Sequence, residues 1–174
     1  VIAAHDWSSP REVGASMLVW DRGQSGTVGG GALEFEAVGK ARAMLAGGGR
    51  AVERVALGPS LGQCCGGAVT LWTEVFDAVP VPLAGVVARG PGEMPLAVKR
   101  VLVAARGQGL RPAPGLVAGW LVEPVAEAER QVWIWGAGHV GRALVAVLAP
   151  LPGIAITWVD TGPERFPEVI PEGV

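Results

Sequence analysis

The sequence predicts an α/β protein, with an N-terminal mixed α/β domain followed by a strand–helix–strand unit near the end of the chain. In the N-terminal part, short apolar runs separated by turn-forming residues surround one segment with helical spacing. Near the end, the run QVWIWGAGHVGRALVAVLAPLPGIAITWVD is typical of a strand, a glycine turn, a helix and a second strand ending in an acid. The composition fits a folded chain, since 50% of the residues are hydrophobic and 17% are charged.

The N-terminal domain, residues 1–79, contains three predicted strands and one predicted helix. The first strand is SMLVW at residues 16–20, which ends at a cluster of turn formers. Residues 32–49 repeat apolar side chains at helical spacing and end in three glycines, as helices often do. The other strands are VERVAL at 52–57 and AVTLWTEVF at 68–76, where β-branched and aromatic residues alternate with others.

The middle of the chain, residues 80–130, is interpreted as a connecting segment. Prolines and glycines are frequent there, around one apolar run, LAVKRVLVAA at 96–105. Residues 131–174 then form a predicted Rossmann-like βαβ unit. A complete doubly wound sheet needs several more strands, so we expect this Rossmann-like domain to be truncated.

A glycine fingerprint lies between the two strands of that unit. Gly136, Gly138 and Gly141 match G-x-G-x-x-G, the pattern in which a pyrophosphate meets backbone N–H groups at a helix N-terminus. Asp160 ends the next strand, where a partner for a ribose hydroxyl would lie. His139 lies within the turn, where its ring could face a ligand or solvent. The pattern predicts a site for NAD(P) or another nucleotide, although such folds also occur without a ligand.

A second glycine cluster, Gly29, Gly30 and Gly31, directly precedes the predicted N-terminal helix. Consecutive backbone N–H groups before a helix form an anion site of the phosphate-cradling kind. A bulged strand followed by a helix cap is the alternative interpretation, and no Gly-Lys-Ser/Thr follows to make a Walker loop. Arg11, which follows Ser-Ser-Pro, could clamp a phosphate or a carboxylate, or could be a surface arginine.

The two cysteines of the chain, Cys64 and Cys65, are adjacent and lie between glycines in LGQCCGG. Adjacent cysteines cannot bridge distant segments, and no Cys/His cluster has the spacing of a structural zinc site. Gly66 and Gly67 would let a ligand approach the thiols closely. The roles that remain are contact with a soft metal centre, sulfur transfer or redox sensing.

Charge and apolar patterning argue against two classes of partner. A net charge of -2 offers no electrostatic footprint for nucleic acid. The longest apolar run begins at Ala143 and is broken by Pro150, Pro152 and Gly153, whereas a bilayer span needs about 20 apolar residues in one helix. No signal peptide is recognisable and the cysteines suggest a reducing compartment, so we expect a cytoplasmic protein without membrane partners.

Five motifs, in this order, resemble those of the xanthine dehydrogenase accessory protein family, the relatives of XdhC and CoxI. They are SSPREVGASMLV, GTVGGGALE, LGQCCGG, LVEPV and IWGAGHVGRAL with the following VDTGPERFP. The resemblance covers residues 8–167 and is weak between about 78 and 115. It implies an N-terminal α/β domain that bears the cysteine of a CGG motif, joined to a Rossmann domain.

The resemblance implies a molybdenum cofactor chaperone and not an enzyme. Members of this family look like proteins that bind the molybdopterin cofactor, protect it from oxidation and hold it while a sulfur is installed. They then pass it to xanthine dehydrogenase. The family cysteine corresponds to Cys65, with Cys64 as a neighbour, and both are candidates for contact with molybdenum. The implied partners are xanthine dehydrogenase, a cysteine desulfurase or sulfurtransferase, and further copies of the chain in a homo-oligomer.

Two other classes of function stay open from the residues alone. An NAD-dependent oxidoreductase would use the glycine fingerprint with the cysteine loop as its active site, although His139 is the one evident proton-transfer group. A purely structural interaction protein would use the glycine loops as contact surfaces.

Overall fold

Four small β-sheets and three α-helices make up the part of the chain that the structure describes. The structure is a computed structural model and describes residues 1–58, 66–125, 130–151, 153–171 and 173–174. Contacts divide the chain into two units, Val1–Val125 and Ala126–Val174. The mixed α/β class predicted from the sequence is confirmed. Within the described residues, no helix combines the length and apolarity needed to cross a membrane.

The first unit contains ten of these elements. In chain order they are β1 (Ile2–Asp6), β2 (Met17–Trp20), β3 (Gly23–Gly26), α1 (Gly31–Leu45), β4 (Arg50–Ala56), β5 (Ala68–Glu74), β6 (Val86–Arg89), α2 (Leu96–Gln108), β7 (Gly115–Val117) and β8 (Trp120–Pro124). The second unit contains β9 (Arg130–Trp135), α3 (His139–Leu148), β10 (Ile154–Val159) and a 3₁₀ helix (Pro163–Arg165).

The sheet β1-β5-β4 is antiparallel and supports the N-terminal motifs. Asp6 of β1 and Ala56 of β4 both pair with Ala68 of β5. The ends of β1 and β4 and the start of β5 therefore lie at the same edge of the sheet. We call this the loop edge, because the connection between β4 and β5 leaves and re-enters the sheet there.

Helix α1 supplies part of the core of this sheet. Leu33 and Ala37, four positions apart, are buried with residues of β1 and β5, as the apolar periodicity of this segment predicts. A fully buried leucine such as Leu33 contributes about 1.5–3 kcal/mol. The core cluster comprises Ile2, Ala15, Val28, Leu33, Ala37, Leu57, Val69 and Leu71. Its packing fixes the start of α1, and with it the glycine cluster.

Residues 80–125 differ from the connecting segment expected there. Strands β6, β8 and β7 form a second antiparallel sheet in that order. Val98, Leu102 and Ala105 recur at helical spacing on α2 and are buried against the same cluster as Trp120 and Val122. The segment therefore has a core of its own and belongs to the first unit.

In the second unit, β9 and β10 are parallel, in register from Arg130–Ile154 to Trp135–Val159. Helix α3 connects them, and Ile134, Val145 and Ile156 form the core between helix and strands. This is the strand–helix–strand unit that the sequence predicts. Two parallel strands and one helix are common to several α/β folds, so the Rossmann-like domain stays a prediction.

Candidate functional site

Gly67 lies directly against the chain that follows β1. A Cβ at this position would be 1.9 Å from the carbonyl oxygen of Ser8 and 2.9 Å from that of Asp6. The backbone oxygen of Gly67 also accepts a hydrogen bond from the Leu57 N–H at 2.7 Å. The neighbouring Gly66 has open space around it but a φ of +64°, which favours glycine. Gly66 therefore permits the turn, and Gly67 permits the close approach to the chain that follows β1.

The chain that follows β1 also contacts the glycine cluster that precedes α1. Gly29 has a φ of +123°, and a Cβ there would lie 2.5 Å from Cβ of Pro10 and 3.7 Å from Cγ of Arg11. Segment 7–11 therefore touches both glycine regions. One short segment therefore links three predicted site residues: Gly29 lies against Pro10 and Arg11, and Gly67 lies against Ser8, three residues before Arg11.

Glu34 of α1 fills the anion cradle predicted at the glycine cluster. Its Oε2 accepts hydrogen bonds from the N–H groups of Val28 and Gly30, each at 3.1 Å, and from the Thr27 hydroxyl. Gln24 Nε2 donates to Oε1 at 3.0 Å. The Thr27 hydroxyl is the main cause that holds the pKa of Glu34 below its ordinary value, and the backbone donors add to it.

The remaining glycines of the cluster are placed differently. Gly29 donates its N–H to the Thr27 hydroxyl oxygen at 3.0 Å, so this N–H also has an internal partner. Gly31 is the first residue of α1, and Gly30 has open space at its Cβ position. An external anion would therefore meet the first turn of α1, and would have to displace Glu34 to reach the N–H groups of Val28 and Gly30.

Arg11 is held by its neighbour Glu12 at the surface. Its Nη2 lies 2.9 Å from Glu12 Oε1 and its Nε 3.1 Å from Oε2. The hydrogen bond from Arg11 is the main cause that lowers the pKa of Glu12 to about 2. Surface ion pairs of this kind contribute only about 0–1 kcal/mol. A ligand phosphate at the loop edge can therefore compete with Glu12 for the guanidinium.

The predicted cysteine pair, Cys64 and Cys65, lies outside the described residues, so its role as a cofactor or molybdenum contact stays a prediction. Among the side chains that are described, no group of three or more His, Cys, Asp or Glu is arranged to hold a metal ion.

In the second unit, the glycine fingerprint forms a tight turn between β9 and α3. Gly136 has a φ of +99°, and a Cβ on Gly141 would lie only 1.9 Å from the Gly136 carbonyl oxygen. That oxygen also accepts a hydrogen bond from Trp158 Nε1 at 3.0 Å. Gly138 precedes α3 and His139 begins it, with both exposed. The glycines thus have the turn-forming and packing roles that the fingerprint predicts.

Asp160 faces this turn from the end of β10. Its Oδ2 accepts a hydrogen bond from the Ala137 N–H at 2.5 Å, and Oδ1 accepts one from the Thr161 N–H at 2.6 Å. The Ala137 N–H is the main cause that lowers the pKa of Asp160. Arg142 braces the other side of the turn, donating from Nε to the Ala137 carbonyl at 2.8 Å. The acid therefore lies directly beside the glycine turn.

A separate cavity of about 660 Å³ in the first unit contains none of the predicted site residues. It lies between α1 and β5, and Glu74, Arg89 and Glu123 form part of its wall. Burial acts to raise the pKa of Glu74, but hydrogen bonds from Arg50, Trp72 and Arg89 outweigh it and lower that pKa. These charges satisfy one another, so the cavity offers mainly apolar surface.

Three contributors were missed from the sequence. Glu34 lies in the first helical turn, where an acid is expected to complement the helix dipole, and the sequence does not predict that it binds the N–H groups of the glycine cluster. The sequence pattern does not indicate a role for Arg142, since its contacts depend on the geometry of the glycine turn. The sequence does not single out Trp7, and the structure shows this residue 92% exposed with a backbone φ of +63°.

The fold and the loop edge define a mixed α/β protein in which glycine-rich loops and an arginine meet beside a sheet. The model of the XdhC and CoxI family matches residues 1–56, the segment that contains Arg11 and the Gly29–31 cluster. The family resemblance is confirmed over that segment. No curated protein and no solved structure matches the chain.

Proposed function

We propose that this chain is a maturation factor for a molybdenum enzyme and that it carries molybdopterin cofactor as cargo. In this proposal it shields the cofactor from oxidation, holds it while sulfur is installed, and delivers it to xanthine dehydrogenase or a related dehydrogenase. The observation that carries the proposal is the contact of one short segment, residues 8–11 with Arg11 at its end, with both Gly29 and Gly67, in a chain whose first 56 residues match the XdhC and CoxI family.

The residues at the loop edge fit the chemistry of such a cargo. Molybdopterin carries a phosphate, and the Arg11 guanidinium can exchange its weak pairing with Glu12 for a bidentate contact to phosphate. A thiolate is a suitable ligand for soft molybdenum, the role that the resemblance assigns to Cys65 with Cys64 beside it. The cargo supplies its chemistry to the recipient enzyme, while this chain binds, orients and shields it.

The filled glycine cradle favours a carrier that also releases its cargo. Glu34 competes with any phosphate for the N–H groups of Val28 and Gly30, so these donors add little net affinity. A cargo held mainly by an exposed arginine and loop contacts can be passed to a second protein. We therefore infer a non-enzymatic role, with a cysteine desulfurase or sulfurtransferase and the recipient enzyme as transient partners.

The test is retention of released molybdenum cofactor. The protein is mixed anaerobically with the cofactor, excess is removed by gel filtration, and molybdenum and pterin are measured in the protein fraction. We expect the wild type to retain both, the Cys64→Ala/Cys65→Ala variant to lose molybdenum, and Arg11→Ala to retain less of both. Arg22→Ala, in the exposed turn between β2 and β3, is the matched control and should behave as wild type.

Two outcomes of the retention test would contradict different parts of the proposal. No retention by the wild type would overturn the carrier function. Full retention by the double cysteine variant would keep the carrier function but remove the cysteine pair from the site.

A nucleotide site in the second unit is a second candidate, favoured by the position of Asp160 beside the Ala137 N–H. A ribose hydroxyl could take the place of that N–H on the carboxylate, with the pyrophosphate at the start of α3. We expect NAD(P) to bind in a calorimetric titration and Asp160→Asn to weaken it. No measurable binding of NAD or NADP to the wild type would leave the fingerprint with a purely architectural role.

A further inference from the structure

Trp7 is an exposed indole held on an unfavourable backbone conformation. The residue is 92% exposed and its φ of +63° lies in the left-handed region, which penalises residues with a Cβ. Glycine would adopt this conformation freely. Neither the exposed ring nor the strained backbone helps the chain to fold, and such combinations concentrate at functional positions.

The neighbours of Trp7 place it at the centre of the loop edge. The carbonyl oxygens of Asp6 and Ser8, on either side of it, would lie 2.9 Å and 1.9 Å from a Cβ on Gly67. Arg54 fixes the Asp6 carboxylate through an Nη2–Oδ2 contact of 2.9 Å. On the other side, the Ser9 hydroxyl donates to the Arg11 carbonyl at 2.7 Å. The turn is therefore held on both sides, and Trp7 belongs to the same short segment as the phosphate-binding candidate Arg11.

Other exposed tryptophans of the described chain have partners that account for them. Trp20, 49% exposed, packs its ring over the backbone of Gly23, where a Cβ would lie 2.6 Å from the ring. Trp133 and Trp135 stack on each other with their centroids 6.2 Å apart. Among the aromatic and cation–π contacts of the described residues, none involves Trp7.

We propose that Trp7 is a stacking platform for a flat heteroaromatic ring whose anionic tail reaches Arg11. This inference rests on the proposed function, because a pterin that carries a phosphate has this chemistry. Indole faces stack on heteroaromatic rings without directional bonds. Such a contact excludes water from one ring face while leaving the ring free to depart, as a carried cargo requires.

The experiment uses 6-hydroxymethylpterin monophosphate, which has the ring and the phosphate but no metal, and measures its binding to the full chain by equilibrium dialysis. Trp7→Gly removes the indole and relieves the backbone. We expect it to bind about tenfold more weakly than the wild type, or worse, and to melt at a higher temperature. Trp7→Phe keeps a ring and should stay within about threefold of wild-type affinity. Trp20→Phe is the matched control and should leave the affinity unchanged.

Equal affinity of Trp7→Gly and wild type would overturn the proposal, and so would a lower melting temperature of Trp7→Gly, which would make the indole structural. Absence of pterin binding by the wild type would overturn it as well. The cofactor-retention assay judges the carrier function separately. Retention of molybdenum cofactor by Trp7→Gly at the wild-type level would refute the stacking role and keep the carrier. Pterin binding that depends on Trp7, without retention of molybdenum cofactor, would keep the stacking role and refute the carrier function.

Discussion

A single methyl group at Gly67 would perturb the loop edge directly. A Cβ there lies 1.9 Å from the Ser8 carbonyl oxygen, while real Cβ atoms stay beyond 3.0 Å, so the turn after β1 must move by about 1 Å. The obstacle is backbone, which cannot rotate away as a side chain can. The movement would strain the pairing of Asp6 with Ala68. We expect Gly67→Ala to lower the free energy of unfolding of the first unit by about 3 kcal/mol, the upper end for overpacking.

The matched control is the neighbouring glycine. Gly66→Ala meets no atom within 4 Å and is opposed only by its φ of +64°, so it should cost about 1 kcal/mol. Urea unfolding followed by circular dichroism separates the two variants. With a slope of about 2 kcal/mol per molar urea, the midpoints should fall by about 1.5 M for Gly67→Ala and about 0.5 M for Gly66→Ala. Equal shifts would refute the close approach of Gly67 to the turn.

Two further substitutions test the second glycine turn and the filled cradle. Gly141→Ala places a Cβ 1.9 Å from the Gly136 carbonyl oxygen and should destabilise the second unit by about 2–3 kcal/mol. Gly138→Ala, with open space, should cost less than about 1 kcal/mol; native-state hydrogen exchange of the second unit measures both variants, and equal losses would contradict the packing role. The folded state lowers the pKa of Glu34, so its ionised form stabilises the fold above the ordinary value of 4.5, and this contribution is lost as pH falls through the folded pKa. Glu34→Gln should therefore destabilise at about pH 7 and approach the wild type at about pH 3 in urea unfolding, and a pH-independent difference would show that the charge does not matter.

Elements with a strong local pattern were predictable from the sequence. The periodic segment 32–49 contains most of α1, and the glycine turn with its flanking strands matches β9, α3 and β10. Frequent glycines and prolines predict a connecting segment over residues 80–130, whereas the described residues 80–125 form strands and a helix. Gly90 instead makes room for the ring of Trp120, where a Cβ would lie 2.2 Å away, and Gly109 ends α2 with a φ of +63°. The role of Gly90 depends on a tertiary contact, and the role of Gly109 is a local helix end, so neither glycine marks a linker.

The candidate site was predictable residue by residue but not as an arrangement. Chemistry alone singled out Arg11 and the glycines, since each type has few physical uses in such a setting. Their meeting depends on the pairing of β1 with β5, which joins distant parts of the chain. The hydrogen bonds that Glu34 accepts from the N–H groups before α1 depend on how the first turn of the helix is oriented. The left-handed conformation of Trp7 runs against the ordinary preference of tryptophan, so no propensity could have indicated it.

The hydrogen bond from Leu57 to Gly67, together with the pairing of Ala56 and Ala68, has a consequence for how this chain can vary. These contacts fix both ends of the connection between β4 and β5, whatever residues lie between them. The entropy of closing such a connection grows only with the logarithm of its length, so doubling it would cost about 0.6 kcal/mol. Insertions and deletions in this connection therefore cost little stability, while a substitution at Gly67 costs much more. Selection can therefore vary the length of this connection while the sheet that it joins stays the same.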